Sequence, residues 1–320
     1  MKTFGKMLLI LIAILVAAFL YLRVPDTDPE EMRAKYGAAP SQFVELDSGL
    51  TVHLRDEGPS DAPAIILLHG SNADLHTWGE WADDLKQDYR VIRFDQIGHG
   101  LTGPASDDDY SLDAYVSGVD AVADTLELGK FVLAGNSMGG WIAAGYAMEH
   151  PERLSGLVLV DAGGAPTMRE TSGNLAFTIA RLPGIGAVMS QMLPRSIVER
   201  SLSQSVSNQE IVTPEAVDRY WEMARYPGNR AASRIRFSQS RTPFTPEQVA
   251  AISTPTLILW GEEDTLISVE AAGWYAEHLP TSQTVIYKGV GHIPMEENPQ
   301  QSISDFRNWL TTAAFVPEEA

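Results

Sequence analysis

None of the 320 residues is a cysteine. That absence excludes disulfides, thiolate catalysis and cysteine–zinc sites, and it leaves the redox compartment open. Positive charge is scarce as well: 23 Lys and Arg stand against 42 Asp and Glu, a formal net charge of −19. Such a chain repels nucleic acid and disfavours polyanionic substrates. There is no basic patch with interleaved aromatics, no glycine-rich phosphate loop and no internal repeat, and the 7 histidines lack metal-ligand spacing. What remains is a chain that is 44% hydrophobic and long enough to bury a substantial core, with room for a smaller inserted domain.

One long apolar run is present, residues 7–22, preceded by Lys2 and Lys6. It approaches the length of about 20 residues that spans a bilayer. Lys6 can snorkel, which extends the span over Phe4 and Gly5. The run has no polar face, as a buried soluble helix would need. Residues 1–23 therefore read as a single-pass signal-anchor. The alternative is a signal peptide cleaved after Val16-Ala17-Ala18, which would yield a secreted protein, but the apolar run continues to Leu22. Two lysines and the terminal amine precede the span and only Arg23 follows it directly. This bias puts the remaining chain on the periplasmic or extracellular side. Residues 24–40, rich in Pro, Asp and Glu, read as a tether.

Further along, Gly135-Asn136-Ser137-Met138-Gly139 lies between the apolar run 131–134 and the helix-forming stretch 141–148. A G-x-S-x-G at a strand–helix junction forces the serine onto a sharp turn and demands small neighbours. The helix end beneath it offers free N–H groups and positive dipole to an oxyanion. A serine hydroxyl needs a base and a group to orient that base. Asp264 closes the strand-like run 257–261, and His292 follows the strand-like run 284–287 in a glycine-flanked loop. In this reading His292 takes the Ser137 proton, and Asp264 fixes the imidazole tautomer and stabilises its charge. Asp161, at the end of the run 156–161, is the alternative acid. For an oxyanion hole, Gly70 permits close approach, and the N–H groups of Ser71 and Met138 supply the donors. His69 reads as a residue that pins this loop and not as the base.

These residues carry a resemblance. His69-Gly70, Asp95-Gln96-Ile97-Gly98-His99-Gly100, the serine pentapeptide, His150-Pro151-Glu152-Arg153, Trp260-Gly261-Glu262-Glu263-Asp264 and Gly291-His292 resemble an α/β-hydrolase of the esterase, lipase and carbon–carbon hydrolase type. The resemblance covers residues 40–312. It implies a mostly parallel eight-stranded sheet with helices on both faces and a helical cap inserted between strands six and seven. The expected organisation is a core of 41–164 and 252–312, a cap of 165–251 and a tail of 313–320. Asn72, Thr102 and Ser268 depart from the usual pattern; the first of these bears on the oxyanion loop.

The run pattern agrees with that fold. Residues 42–47 and 50–57 alternate around Ser48-Gly49 as an edge hairpin, and six further apolar runs alternate with helical stretches. The cap region holds Phe177, Leu182, Met189, Tyr220, Trp221, Tyr226, Phe237 and Phe244. Some of these are expected to line a pocket for a substrate with an apolar part. The expected activity is hydrolysis of a carboxylic ester or lactone through an acyl-enzyme on Ser137, with no cofactor and no metal. A carbon–carbon hydrolase acting on a ring-fission dienoate is the alternative, with Arg181, Arg195, Arg234 or Arg236 available for its carboxylate. A non-catalytic ligand-binding protein on the same fold is a third reading. The expected partners are a small-molecule ester and, through the N-terminal helix, the membrane; nucleic acid is excluded.

Overall fold

The computed structural model describes residues 2–166, 186, 188, 191–239 and 241–315. The apolar runs become strands β1 (Gln42–Glu45), β2 (Thr51–Glu57), β3 (Ala64–Leu68), β4 (Arg90–Phe94), β5 (Phe131–Asn136), β6 (Leu154–Val160), β7 (Thr256–Gly261) and β8 (Ser282–Tyr287). They form one sheet in the order β1-β2-β4-β3-β5-β6-β7-β8. The hairpin strand β2 runs antiparallel to both its neighbours, and the pairings among β3 to β8 are all parallel. Crossovers between parallel strands must travel over a sheet face, so both faces are covered and the central strands are apolar throughout.

β3 shows the consequence. Its side chains alternate: Ile66 and Leu68 join Leu133 on one face, while Ile65 and Leu67 join Val132 and Ala134 on the other. Helices α4 (Leu112–Thr125) and α5 (Met138–Glu149) cover the first face, and α3 (Gly79–Leu85) lies on the second. Trp78, Trp81 and the helix Pro299–Trp309 cover the second, with Trp81 stacked on Phe306 at 4.8 Å and its indole donating to Ser302 Oγ at 2.9 Å. Each such aliphatic or aromatic burial contributes about 1.5–3 kcal/mol.

Between β6 and β7 the chain leaves the sheet for a helical cap, described over Arg195–Ser205, Pro214–Ala224, Asn229–Ser238 and Pro246–Ala250. The sequence marks two of these starts clearly. Thr213 caps the helix that opens with Pro214, and Thr245 forms a capping box with Gln248. Leu202, Val206 and Val217 are buried against the core, as are Tyr226 and Phe244, whereas Phe237 is exposed. Phe177, Leu182, Met189 and Arg181 lie outside the described residues. One ion-pair network clamps cap to core: Arg219 donates to Glu296 at 2.9 Å and faces buried Asp74 at 3.7 Å, and Thr77 and Tyr220 also donate to Glu296.

At the N-terminus, α1 runs Lys2–Leu22, and its apolar segment Phe4–Leu22 is 19 residues long with none of it buried. The segment read as a tether is not a plain linker. It holds a second helix, α2 (Pro29–Tyr36), whose N-cap Asp28 accepts from Glu30 and Glu31 N–H. Met32 on that helix is buried. Lys35 and Tyr36 both reach Glu222 of the cap, at 2.6 and 2.7 Å, and Asp26 pairs with Arg230 at 2.5 Å. The composition obscured this element. Asp28-Pro29-Glu30-Glu31 is a helix-start signal as well as an acidic, proline-containing stretch.

Candidate active site

Ser137 sits between β5 and α5 with φ 55° and ψ −114°, a region that side chains avoid unless the surroundings enforce it. Three backbone bonds enforce it here. Ser137 N–H donates to Val160 O at 3.0 Å, and Ser137 O accepts from Gly163 at 2.8 Å and from Trp141 at 3.1 Å. The glycines are a steric requirement: a Cβ on Gly135 would come 2.1 Å from Gly139 O, and one on Gly139 would come 2.3 Å from Leu68 O. This is the physical content of the small-residue pattern around the serine.

Asp264 lies just after β7 and His292 after β8, both buried. Their contact is direct, His292 Nδ1 to Asp264 Oδ2 at 2.7 Å. Nδ1–H thus donates to the carboxylate, which leaves Nε2 with its lone pair free to act as a base. Asp264 Oδ1 is occupied in turn by the N–H groups of Leu266 and Ile267, at 2.7 and 3.0 Å. The two loops meet because the backbones nearly touch: a Cβ on Gly261 would lie 1.9 Å from Gly291 O. Two further bonds hold His292 in place. Its N–H donates to Ser205 O of the cap at 2.8 Å, and its carbonyl accepts from Asn136 Nδ2 at 2.9 Å. Asn136 precedes Ser137 and so ties the base loop to the serine turn. Its carboxamide role could not be read from a pentapeptide in which that position is variable.

Asp161 is close by. It is fully buried at the end of β6 with φ 45°, and its Oδ1 accepts from Gly261 N–H at 3.0 Å. One side-chain donor atom from each of Asp161, Asp264 and His292 lies within 4.8 Å of the others. Burial, and then the neighbouring Asp264 charge, push the Asp161 carboxyl well above its ordinary range. Asp161 is therefore the carboxyl of the pair more inclined to hold a proton, and the residue in contact with His292 is Asp264. Among the described residues this is also the cluster with metal-like spacing. Its donor set suits acid–base work instead, since the imidazole Nδ1 is already committed to Asp264 and Asp161 Oδ1 to the Gly261 N–H.

The loop expected to carry the oxyanion donors lies on the turn after β3. A Cβ on Gly70 would lie 3.1 Å from Ser137 Cβ, so the loop passes directly beside the serine. Among the described residues, neither Ser71 N–H nor Met138 N–H has a hydrogen-bond acceptor. Ser71 Oγ reaches Met138 Sδ at 3.3 Å. His69 is buried, and its Nε2 accepts from Gln96 N–H at 3.0 Å while its Nδ1 meets Gly70 O at 2.8 Å. Burial holds the ring neutral, as a loop-pinning residue requires. Asp95 gathers His53 Nδ1 and the N–H groups of Leu75 and Leu101 at 2.7–2.8 Å, which fixes the neighbouring loop. Asn72 adopts φ 59°, a left-handed conformation that asparagine tolerates better than most residues. Its Oδ1 accepts from Ser233 at 2.9 Å and Arg236 at 3.0 Å, both on the cap. The departure at this position thus couples the oxyanion loop to the cap. Thr102 keeps a local role, donating to Asp95 O at 2.6 Å, and Ser268 donates to Glu270.

Of the cap arginines, Arg195 is taken up by Asp218 and Glu199, and Arg234 is exposed. Arg236 is buried beside the oxyanion loop, and Arg241 lies over the Trp141 ring at 4.8 Å.

A family model described as the alpha/beta hydrolase fold matches residues 63–299, about three quarters of the chain. The chain belongs to that family. A 2-hydroxymuconate semialdehyde hydrolase from Pseudomonas sp. strain CF600 is 25% identical to this hydrolase over 84% of its chain and 93% of the relative. A human monoacylglycerol lipase is 27% identical over 76% and 74% respectively. A membrane phospholipase A, described as a bacterial virulence factor, superposes with a TM-score of 0.75 at 25% identity, covering 99% of this hydrolase and 100% of that chain. An esterase from Thermogutta terrifontis superposes at 0.71, also with 25% identity, covering 86% of this hydrolase and 99% of that chain. These similarities establish a hydrolase fold and span more than one reaction.

Proposed function

We propose that this hydrolase is a membrane-anchored serine esterase. Ser137 attacks an ester carbonyl, His292 takes its proton, and Asp264 holds the imidazole through the 2.7 Å contact and stabilises its positive charge. The N–H groups of Ser71 and Met138 hold the oxyanion, and water activated by His292 then releases the acyl group. No metal or cofactor takes part in these steps. The observation that carries the reading is Ser137 itself, held at φ 55° on a strand–helix turn and tied through Asn136 to the His292 loop. Relatives named as esterase, lipase and phospholipase support an ester as the bond cleaved. A fluorophosphonate probe is expected to label Ser137 in the folded protein. Failure to label would favour a ligand-binding protein instead.

Carbon–carbon cleavage is the second reading, favoured by the relative named as a semialdehyde hydrolase and by buried Arg236 beside the oxyanion loop. Assaying a ring-fission dienoate beside short acyl esters separates the two. Higher kcat/KM for the esters is expected, and preferential dienoate cleavage would reverse the assignment.

Membrane attachment rests on the apolar Phe4–Leu22 segment, with Lys2 and Lys6 on its cytoplasmic side and the hydrolase domain outside. The intact protein is expected to stay with membranes through high salt and carbonate and to leave only with detergent. Recovery of a soluble form beginning near Phe19 would show cleavage instead. An anchored enzyme would meet lipid-derived esters at high local concentration.

A further inference from the structure

Two guanidinium groups in the cap stand out by what they do not meet. Arg236 is 2% exposed, and its partners among the described residues are all uncharged: Asn72 Oδ1 at 3.0 Å, Gly98 O at 3.3 Å, His99 Nδ1 at 3.2 Å and the Tyr115 hydroxyl. Its Nε is buried with no acceptor. Arg241 Nη2 is likewise buried with no acceptor, and its guanidinium rests on the Trp141 ring. Among the described residues, neither arginine forms an ion pair, whereas buried Arg93 and half-buried Arg219 each meet a carboxylate; Arg225 also lacks an ion pair but lies on the α2 side of the cap, donating to Pro25 O. The two cations also oppose each other, and burial adds to the cost of keeping both charged. Arginine does not escape by losing a proton. Counter-ions are not scarce in a chain with 42 acidic residues, so their absence among the described residues here is local.

The position is informative. Asn72 follows Ser71, the residue assigned to the oxyanion hole, and Trp141 lies one helical turn after Ser137. The pair is therefore bounded by the oxyanion loop on one side and the first turn of the serine helix on the other. We infer that Arg236 and Arg241 form an anion subsite beside the reacting carbonyl, and that the ester substrate carries an oxyanionic group, a carboxylate or a phosphate, which the two guanidiniums receive. A planar guanidinium with free N–H groups matches such oxygens in geometry as well as charge. Bound substrate would supply the counter-charge that the described residues do not. The inference rests on the esterase reading and narrows its substrate class.

Two matched ester pairs test it and separate the sources of the anion. Mono-p-nitrophenyl succinate against p-nitrophenyl butyrate reads a carboxylate; a 1-acylglycerol 3-phosphate against the same 1-acylglycerol reads a phosphate. In at least one pair the anionic member is expected to have a kcat/KM about tenfold or more above the neutral one. Arg241→Gln should reduce that ratio by about tenfold or more, and Arg241→Lys should restore part of it. Arg236 is too deeply buried for its replacement to be the primary test. Ratios at or below one in both pairs, or a ratio that Arg241→Gln leaves unmoved, would overturn the subsite. A second measurement does not depend on turnover. In Ser137→Ala protein, succinate or glycerol 3-phosphate should raise the melting temperature, and the Arg241→Gln change should abolish that rise. Binding without any ester cleavage would sink the esterase reading and keep the subsite; ester cleavage without anion preference or anion binding would do the reverse.

Discussion

Replacing Ser137 by alanine is expected to lower p-nitrophenyl ester turnover by about four to six orders of magnitude while leaving the fold intact. The size follows from the chemistry assigned to the hydroxyl. Without the nucleophile no acyl-enzyme forms, and what survives is the contribution of the oxyanion donors and of binding alone. Folding should survive because, among the described residues, no hydrogen bond or cap depends on the Ser137 side chain; the bonds that hold the turn run through its backbone to Val160, Gly163 and Trp141. Alanine must adopt φ 55° as serine does, so the strain is unchanged. Far-ultraviolet circular dichroism and the melting temperature check the fold, and steady-state kinetics check the rate. Retention of full activity in the alanine variant would remove Ser137 from the mechanism.

The sheet was legible because it is periodic and apolar. Each run from β3 to β7 is bounded by a turn residue or a charge, and the buried parallel arrangement leaves little room for other patterns. The serine turn was legible for a steric reason: Gly135 and Gly139 cannot carry a Cβ, so the chemistry leaves a local mark in the sequence. Contacts between distant segments left no such mark. Asn136 meets the His292 carbonyl across 156 positions, and Asn72 meets Arg236 across 164. Nothing in the residues around either one encodes its partner. The α2 helix was missed for a different reason. Four of its eight residues are charged and its apolar contacts come mainly from Met32 and Tyr36, so its docking depends on a few contacts with the cap and not on an amphipathic period. Arg236 was named as available for an anion, but its isolation from carboxylates is a property of the folded chain only.

Two substitutions at neighbouring carboxyls are expected to have opposite consequences. Asp264→Asn should lower kcat by about ten-thousandfold, because an asparagine presents either the wrong hydrogen-bond partner to Nδ1–H or no charge to the imidazolium. Asp161→Asn should leave most of the rate, since His292 takes its contact from Asp264 and the carboxamide keeps an acceptor for Gly261 N–H. Its effect falls on stability instead. The folded chain holds a proton on Asp161 above the pH at which an unfolded aspartate, with a pKa of about 3.9, releases it. Stability at Asp161 therefore declines as pH rises from that value toward the raised folded pKa, by up to about 1.4 kcal/mol for each pH unit. The asparagine variant lacks this penalty. Its melting temperature relative to the parent should accordingly climb as pH rises above about 4, measured by differential scanning calorimetry from about pH 4 to about pH 8. Should Asp161→Asn cost as much activity as Asp264→Asn, the acid would have to be reassigned to the end of β6; a flat stability difference across that range would show that Asp161 is ionised in the folded protein.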